Sequence, residues 1–66
     1  VQNFIAKFRK EAGLSQQELA DAINVSRKTI STVETARFTP SVIIALKIAQ
    51  YFKTSVESLF SLDEYD

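Results

Sequence analysis

Residues 14–41 read LSQQELADAINVSRKTISTVETARFTPS, and the rest of the chain is understood from this stretch. It holds two short helical patterns, about 16–23 and 27–35, separated by the turn Asn24-Val25-Ser26. In Ser15-Gln16-Gln17-Glu18 the serine hydroxyl can accept from the Glu18 amide while the Glu18 side chain reaches back, a reciprocal cap that starts a helix. Leu19, Ala20 and Ile23 supply the apolar face of that helix. Asn24 follows where the chain must turn, and asparagine tolerates positive φ better than other non-glycine residues. Ser26 caps the second helix, whose apolar side is Ile30 and Val33 with Val25 just outside; Arg27, Lys28, Ser31 and Thr32 are left for solvent or a ligand. A helix that packs by one side and carries polar side chains at its exposed start is suited to a groove. Binding of double-stranded DNA is therefore the first functional expectation.

Working outward, Phe4, Ile5, Phe8 and Ala12 recur at helical spacing over residues 3–12, and Gly13 ends that helix at low conformational cost. Thr39-Pro40 breaks the pattern on the other side, and Ser41 caps a fourth helix that runs to about Phe52. Nine of its residues are apolar, from Val42, Ile43 and Ile44 through Leu46 and Ile48 to Tyr51 and Phe52, an arc wider than one buried stripe requires. Ser55 caps a last short helix over Val56 to Phe60. The tail 61–66 alternates weakly, which leaves a short strand and a disordered end both open.

With 66 residues the chain is expected to form one domain, residues 1–66, and to bury only about 60% of the surface its unfolded form exposes. There is no cysteine and no histidine, so neither disulfides nor a zinc site can supplement the core, and no cofactor is expected. No apolar run approaches the length needed to span a membrane. The opening VQNFIAKFRK puts charges where a secretory leader would carry its apolar stretch, so no leader is expected. Glu18 and Asp21 are spaced as an acidic pair, but one helix surface offers no cavity to raise a carboxylate pKa, and no glycine-rich phosphate loop is present; an enzyme is not expected.

Net charge is zero, which weighs against nucleic acid, but its distribution is uneven. Residues 1–40 hold Lys7, Arg9, Lys10, Arg27, Lys28 and Arg37 against Glu11, Glu18, Asp21 and Glu34. Residues 41–66 hold Lys47 and Lys53 against Glu57, Asp63, Glu64 and Asp66. Binding to a phosphate backbone would rest on a few placed contacts, with the acidic tail turned away.

The run SQQELADAINVSRKTISTVE, continued by TARFTPS and LKIAQYFKTSVESLF, resembles the phage-repressor and Cro-like helix-turn-helix proteins, the Xre family, over about residues 3–60. Among them the chain is similar to the small single-domain regulators. The resemblance implies an all-α fold of five helices, the lambda-repressor-like DNA-binding domain. One branch adds a short two-stranded sheet from the termini, here Val1-Gln2 with Ser61 to Asp63. It implies that Arg27, Lys28 and Thr32 face base edges in the major groove and that Gln16 meets a phosphate. Gln17, Ser26, Thr29, Ser31 and Arg37 would be further contacts or orienting residues, and Arg9 and Glu34 a structural salt bridge. Thr35-Ala36 stands where the family often has Asn-Gly with free amides near phosphate, and Lys53 stands where glycine or asparagine often ends helix 4.

The spare apolar residues Ile44, Tyr51, Val56, Leu59, Phe60 and Leu62 are expected to form a homodimer patch, since two copies can read a pseudo-palindrome. The expected function is transcriptional regulation, by repression, in the cytoplasm of a prokaryotic or phage-infected cell, on the nucleoid. No small-molecule ligand and no membrane contact are expected. The alternatives are a protein-interaction module on the same scaffold, an antitoxin, and a restriction-modification control protein.

Overall fold

The structure is a computed structural model and describes residues 1–37 and 39–66. Strand β1 (Gln2–Asn3) leads into α1 (Ile5–Glu11), α2 (Gln16–Ile23), α3 (Arg27–Glu34), α4 (Val42–Phe52) and α5 (Val56–Leu59), and β2 (Phe60–Ser61) follows directly. The two strands pair antiparallel, Gln2 opposite Ser61 and Asn3 opposite Phe60. The sheet lies one residue away from its expected place on both strands. Phe60 takes an extended conformation, φ −126° and ψ 145°, where a continuation of the last helix was expected.

Four helices start on a serine or its neighbours as expected. Ser15, Ser26, Ser41 and Ser55 each accept a hydrogen bond from the amide three residues on, satisfying one of the donors that a helix start leaves free. At Ser15 the box is complete, and the Ser15 amide is the leading cause that holds the Glu18 carboxyl below its ordinary pKa. The first helix differs. Phe4 occupies its cap position without a side-chain bond, and Asn3 Oδ1 accepts from the Ile5 amide at 3.2 Å. The helix is shorter than its 3–12 pattern, with Phe4 44% exposed.

The core is apolar. Ile5, Leu19, Ile30, Ile48 and Leu59, one from each helix, are fully buried and meet at the centre, with Ala20, Ile23, Val33 and Ala49 around them. Each of the five is worth about 1.5–3 kcal/mol of burial. Phe8 and Phe52 join α1 to α4, ring centroids 5.6 Å apart.

Left-handed residues make the turns. Gly13 (φ 73°), Asn24 (φ 60°) and Lys53 (φ 55°) stand where the sequence places them. Ala36 (φ 58°) is the fourth among the described residues. A Cβ in this region costs roughly 1–2 kcal/mol, and alanine has no side-chain amide or carboxylate to offset it. Ala36→Gly is expected to stabilise the fold by about 0.5–1 kcal/mol, after the extra entropy glycine carries when unfolded. Thermal unfolding should show a midpoint several degrees higher; an unchanged or lower midpoint would count against strain at this residue.

Candidate nucleic-acid interface

The second motif helix, α3, has its orientation set by polar contacts at its C-terminal end. Arg9 Nε of α1 donates to Glu34 Oε2 at 2.6 Å, Nη2 donates to Oε1 at 3.2 Å, and Nη1 donates to the Leu14 carbonyl at 2.8 Å. The two side chains are 12% and 6% exposed. This is a two-pronged guanidinium–carboxylate pair, which fixes relative orientation as well as distance. The Glu34 carboxylate raises the Arg9 pKa further, so the guanidinium stays charged. Gln16 Nε2, from the first turn of α2, donates to the same Glu34 Oε1 at 3.0 Å. One carboxylate thus holds α1, α2 and α3 together.

The expected Arg9–Glu34 bridge is present. Gln16 is tied to it through its side chain, which the sequence reading did not foresee. Asn3 was missed altogether: its Nδ2 donates to the Val33 carbonyl at 2.8 Å while its Oδ1 caps α1. An asparagine just ahead of an apolar helical pattern is the signal from which its capping role could have been read.

Away from this anchor, α3 turns an exposed face to solvent. Arg27 and Lys28 are exposed at its start, Thr29, Ser31 and Thr32 are half-buried along it, and Thr35 and Arg37 are exposed at its end. Thr35 shares this face and was not anticipated. Ser26 and Thr29 hydroxyls lie 2.8 Å apart, and Ser26 Oγ accepts the Thr29 amide, so both shape the helix start. Gln17 is exposed and donates to Asp21 at 2.8 Å. The amides of Ala36 and Arg37 are bonded to the Val33 and Thr32 carbonyls, so the tight turn is kept without Asn-Gly. Beside α3 runs a cleft of about 360 Å³ whose wall includes Lys28, Thr32, Thr39 and Ser41. Thr39 and Ser41 were read only as a chain break and a cap.

The expected self-association patch divides. Leu59 is fully buried in the core and cannot form an interface. Ile44 lies half-buried in the cleft beside α3, and Tyr51 lies beside the end of α2 with Ala22 and Asn24. The remaining three, Val56, Phe60 and Leu62, line an apolar cleft of about 300 Å³ with Pro40, Val42 and Ala45. Val42 is 74% and Leu62 79% exposed, and Leu46, one turn along α4 from Val42, is 48% exposed. Because α4 is apolar nearly all round, only packing decides which side stays uncovered.

The comparisons agree with this architecture. The helix-turn-helix family model matches residues 5–59. A helix-turn-helix-type transcriptional regulator of Methanothermobacter thermautotrophicus is 42% identical over 65 residues, covering 97% of this chain and 94% of that protein. The regulator YgzD of Bacillus subtilis is 33% identical over 64 residues, covering 97% of each. Among solved structures, the N-terminal DNA-binding domain of SinR from Bacillus subtilis superposes with a TM-score of 0.78 at 30% identity, covering 91% of this chain and 88% of that one. The restriction-modification controller protein C.AhdI from Aeromonas hydrophila gives 0.78 at 28% identity, covering 85% of both.

Removing the carboxylate at residue 34 leaves a nearly buried guanidinium without its partner. Glu34→Gln is expected to cost about 1–3 kcal/mol, less than a fully buried pair would. A double-mutant cycle with Arg9→Met, followed by chemical denaturation, should return a coupling well above the few tenths seen between independent sites. Additive losses would show that the pair does not act as one unit. The fold, the clamp and the match over residues 5–59 together place the chain in the helix-turn-helix family, in its phage-repressor and Cro-like, or Xre, branch.

Proposed function

We propose that this protein regulates transcription by binding duplex DNA, with α3 as the helix that enters the major groove. The observation that carries the reading is the exposed α3 face, cationic at its start and held at a set angle by the Arg9–Glu34–Gln16 clamp. Arg27 or Lys28 donates to guanine O6 and N7, and Thr32 faces a base edge farther along. The first-turn amides of α2 at Gln16 and Gln17 meet a phosphate, as helix starts do. Ser31, Arg37, Thr39 and Ser41 flank the groove as backbone contacts.

The active form is a homodimer. The apolar cleft bounded by Val42, Val56, Phe60 and Leu62 supports it, since exposed aliphatic groups gathered at one place mark an interaction surface. Two copies with recognition helices about 34 Å apart would read two half-sites on one DNA face. Repression follows when the bound dimer denies a promoter to polymerase, in the cytoplasm of a prokaryotic or phage-infected cell. No helix among the described residues is long and apolar enough to cross a membrane.

A more specific reading is control of a restriction-modification operon, favoured by the likeness to C.AhdI. An operator upstream of a methyltransferase or endonuclease gene would support it, and its absence there would exclude it.

Affinity for random duplex DNA should fall with salt, with a log–log slope of about −3 to −5 per dimer if four or five phosphates are neutralised. No binding at low salt and micromolar protein would end the DNA reading. Arg27→Ala should cost about 1–3 kcal/mol on a selected duplex and relax the preference at one base pair. An equal loss on every sequence would make Arg27 a phosphate contact instead. For self-association, Leu62→Asp should shift sedimentation from dimer to monomer; a wild-type mass that stays monomeric at every concentration would refute the interface.

A further inference from the structure

We infer that Thr32 selects a thymine through its methyl group and never acts as a hydrogen-bond donor to DNA. The inference rests on the DNA-binding reading above and deepens it. Thr32 Oγ1 lies 2.9 Å from the Lys28 carbonyl oxygen and 3.0 Å from the Thr29 carbonyl oxygen. A carbonyl has no proton to give, so the hydroxyl is the donor in both contacts, and a threonine hydroxyl has only one proton. That proton is shared between two acceptors inside the helix. The bond also fixes the rotation of a side chain whose β-branch already restricts it, so the methyl holds one position relative to α3.

Thr35 repeats the arrangement one turn on. Its Oγ1 donates to the Ser31 carbonyl at 2.9 Å and lies 3.3 Å from the Thr32 carbonyl. The cations Arg27 and Lys28 supply donors at the start of the exposed face of α3, and Ser31 and Arg37 keep donors farther along, whereas Thr32 and Thr35, their hydroxyl protons engaged within the helix, offer methyl groups and acceptor lone pairs.

Base edges in the major groove sort against such a surface. Guanine presents only acceptors there, which an acceptor on Thr32 opposes. An A·T pair presents a thymine methyl for the threonine methyl and an adenine amino group that can donate to Oγ1. A G·C pair has a donor on cytosine but no methyl. The half-site implied is a guanine under Arg27 or Lys28 with a thymine under Thr32.

The test begins with a duplex selected from a random pool by the wild-type protein, in which each thymine is replaced in turn by deoxyuridine, deleting only the methyl. The expected result is one position per half-site where wild-type affinity falls about fourfold, the worth of one buried methyl. Thr32→Ser should lose sensitivity at that same position, and Thr32→Val, which keeps the methyl and deletes the hydroxyl, should keep the sensitivity. Thermal unfolding of both variants checks that α3 is intact. A selected duplex indifferent to every thymine methyl overturns the inference, and so does a folded Thr32→Val that loses the sensitivity. The deoxyuridine series on wild-type protein decides even if a variant fails to fold. A pool that yields no duplex at all would remove the DNA reading itself, whereas tight binding without methyl sensitivity removes only this inference.

Discussion

Glu34 is the residue on which the geometry of the interface depends. It ends α3, and its two oxygens receive Arg9 from α1 and Gln16 from α2. Apolar burial at Ile30 and Val33 holds α3 against the core, but burial is non-directional and tolerates a helix rolled or tilted by some degrees. A planar carboxylate met on two edges by a planar guanidinium does not. Desolvating both groups offsets much of their attraction, so the net gain in stability is modest. What the cluster adds is angle: it decides where the N-terminal end of α3, with Arg27 and Lys28, stands relative to α2.

That matters because little else in the chain favours DNA. Net charge is zero, so there is no overall field to draw the protein to a polyanion, and the exposed cations of the interface are few. Under these conditions affinity is built from placed contacts, and a misplaced helix loses all of them together. In a dimer, duplication would offset the weakness of each set. If two copies are joined, the second half-site is bound at the high effective concentration that the first creates, without any new contact. In such a dimer the apolar second half of the chain and the polar motif would be two parts of one device.

Much of this was legible in the sequence. The serine caps and Asn24 were readable because each is a local rule in which a residue type answers a backbone need within four positions, whereas Lys53 was placed only through the family resemblance. The Arg9–Glu34 bridge spans 25 residues and was reached only through family resemblance. The misplacement of Leu59 has a physical cause: hydrophobicity states that a side chain wants cover without saying which cover it finds. Leu59 found the core, and Ile44 and Tyr51 lie on other sides of α4. Phe60 was read as helix because its apolar spacing continues α5, but pairing with Asn3 outweighs one more turn of a four-residue helix. Gln16 and Asn3 were missed as orienting residues because a polar side chain's long-range partner leaves no periodic trace.

Asn3 carries a consequence for how the two ends of the molecule are linked. Its backbone pairs with Phe60, which lines the apolar cleft, and its side chain donates to Val33 in the recognition helix. One residue therefore bridges the surface where a second copy would sit and the helix that would read DNA. In a dimer built on that surface, the distance between the two reading heads would be gauged through this short strut rather than through the whole core. Lineages could then retune operator spacing by small changes around one asparagine, leaving both the bases recognised and the partner surface as they were.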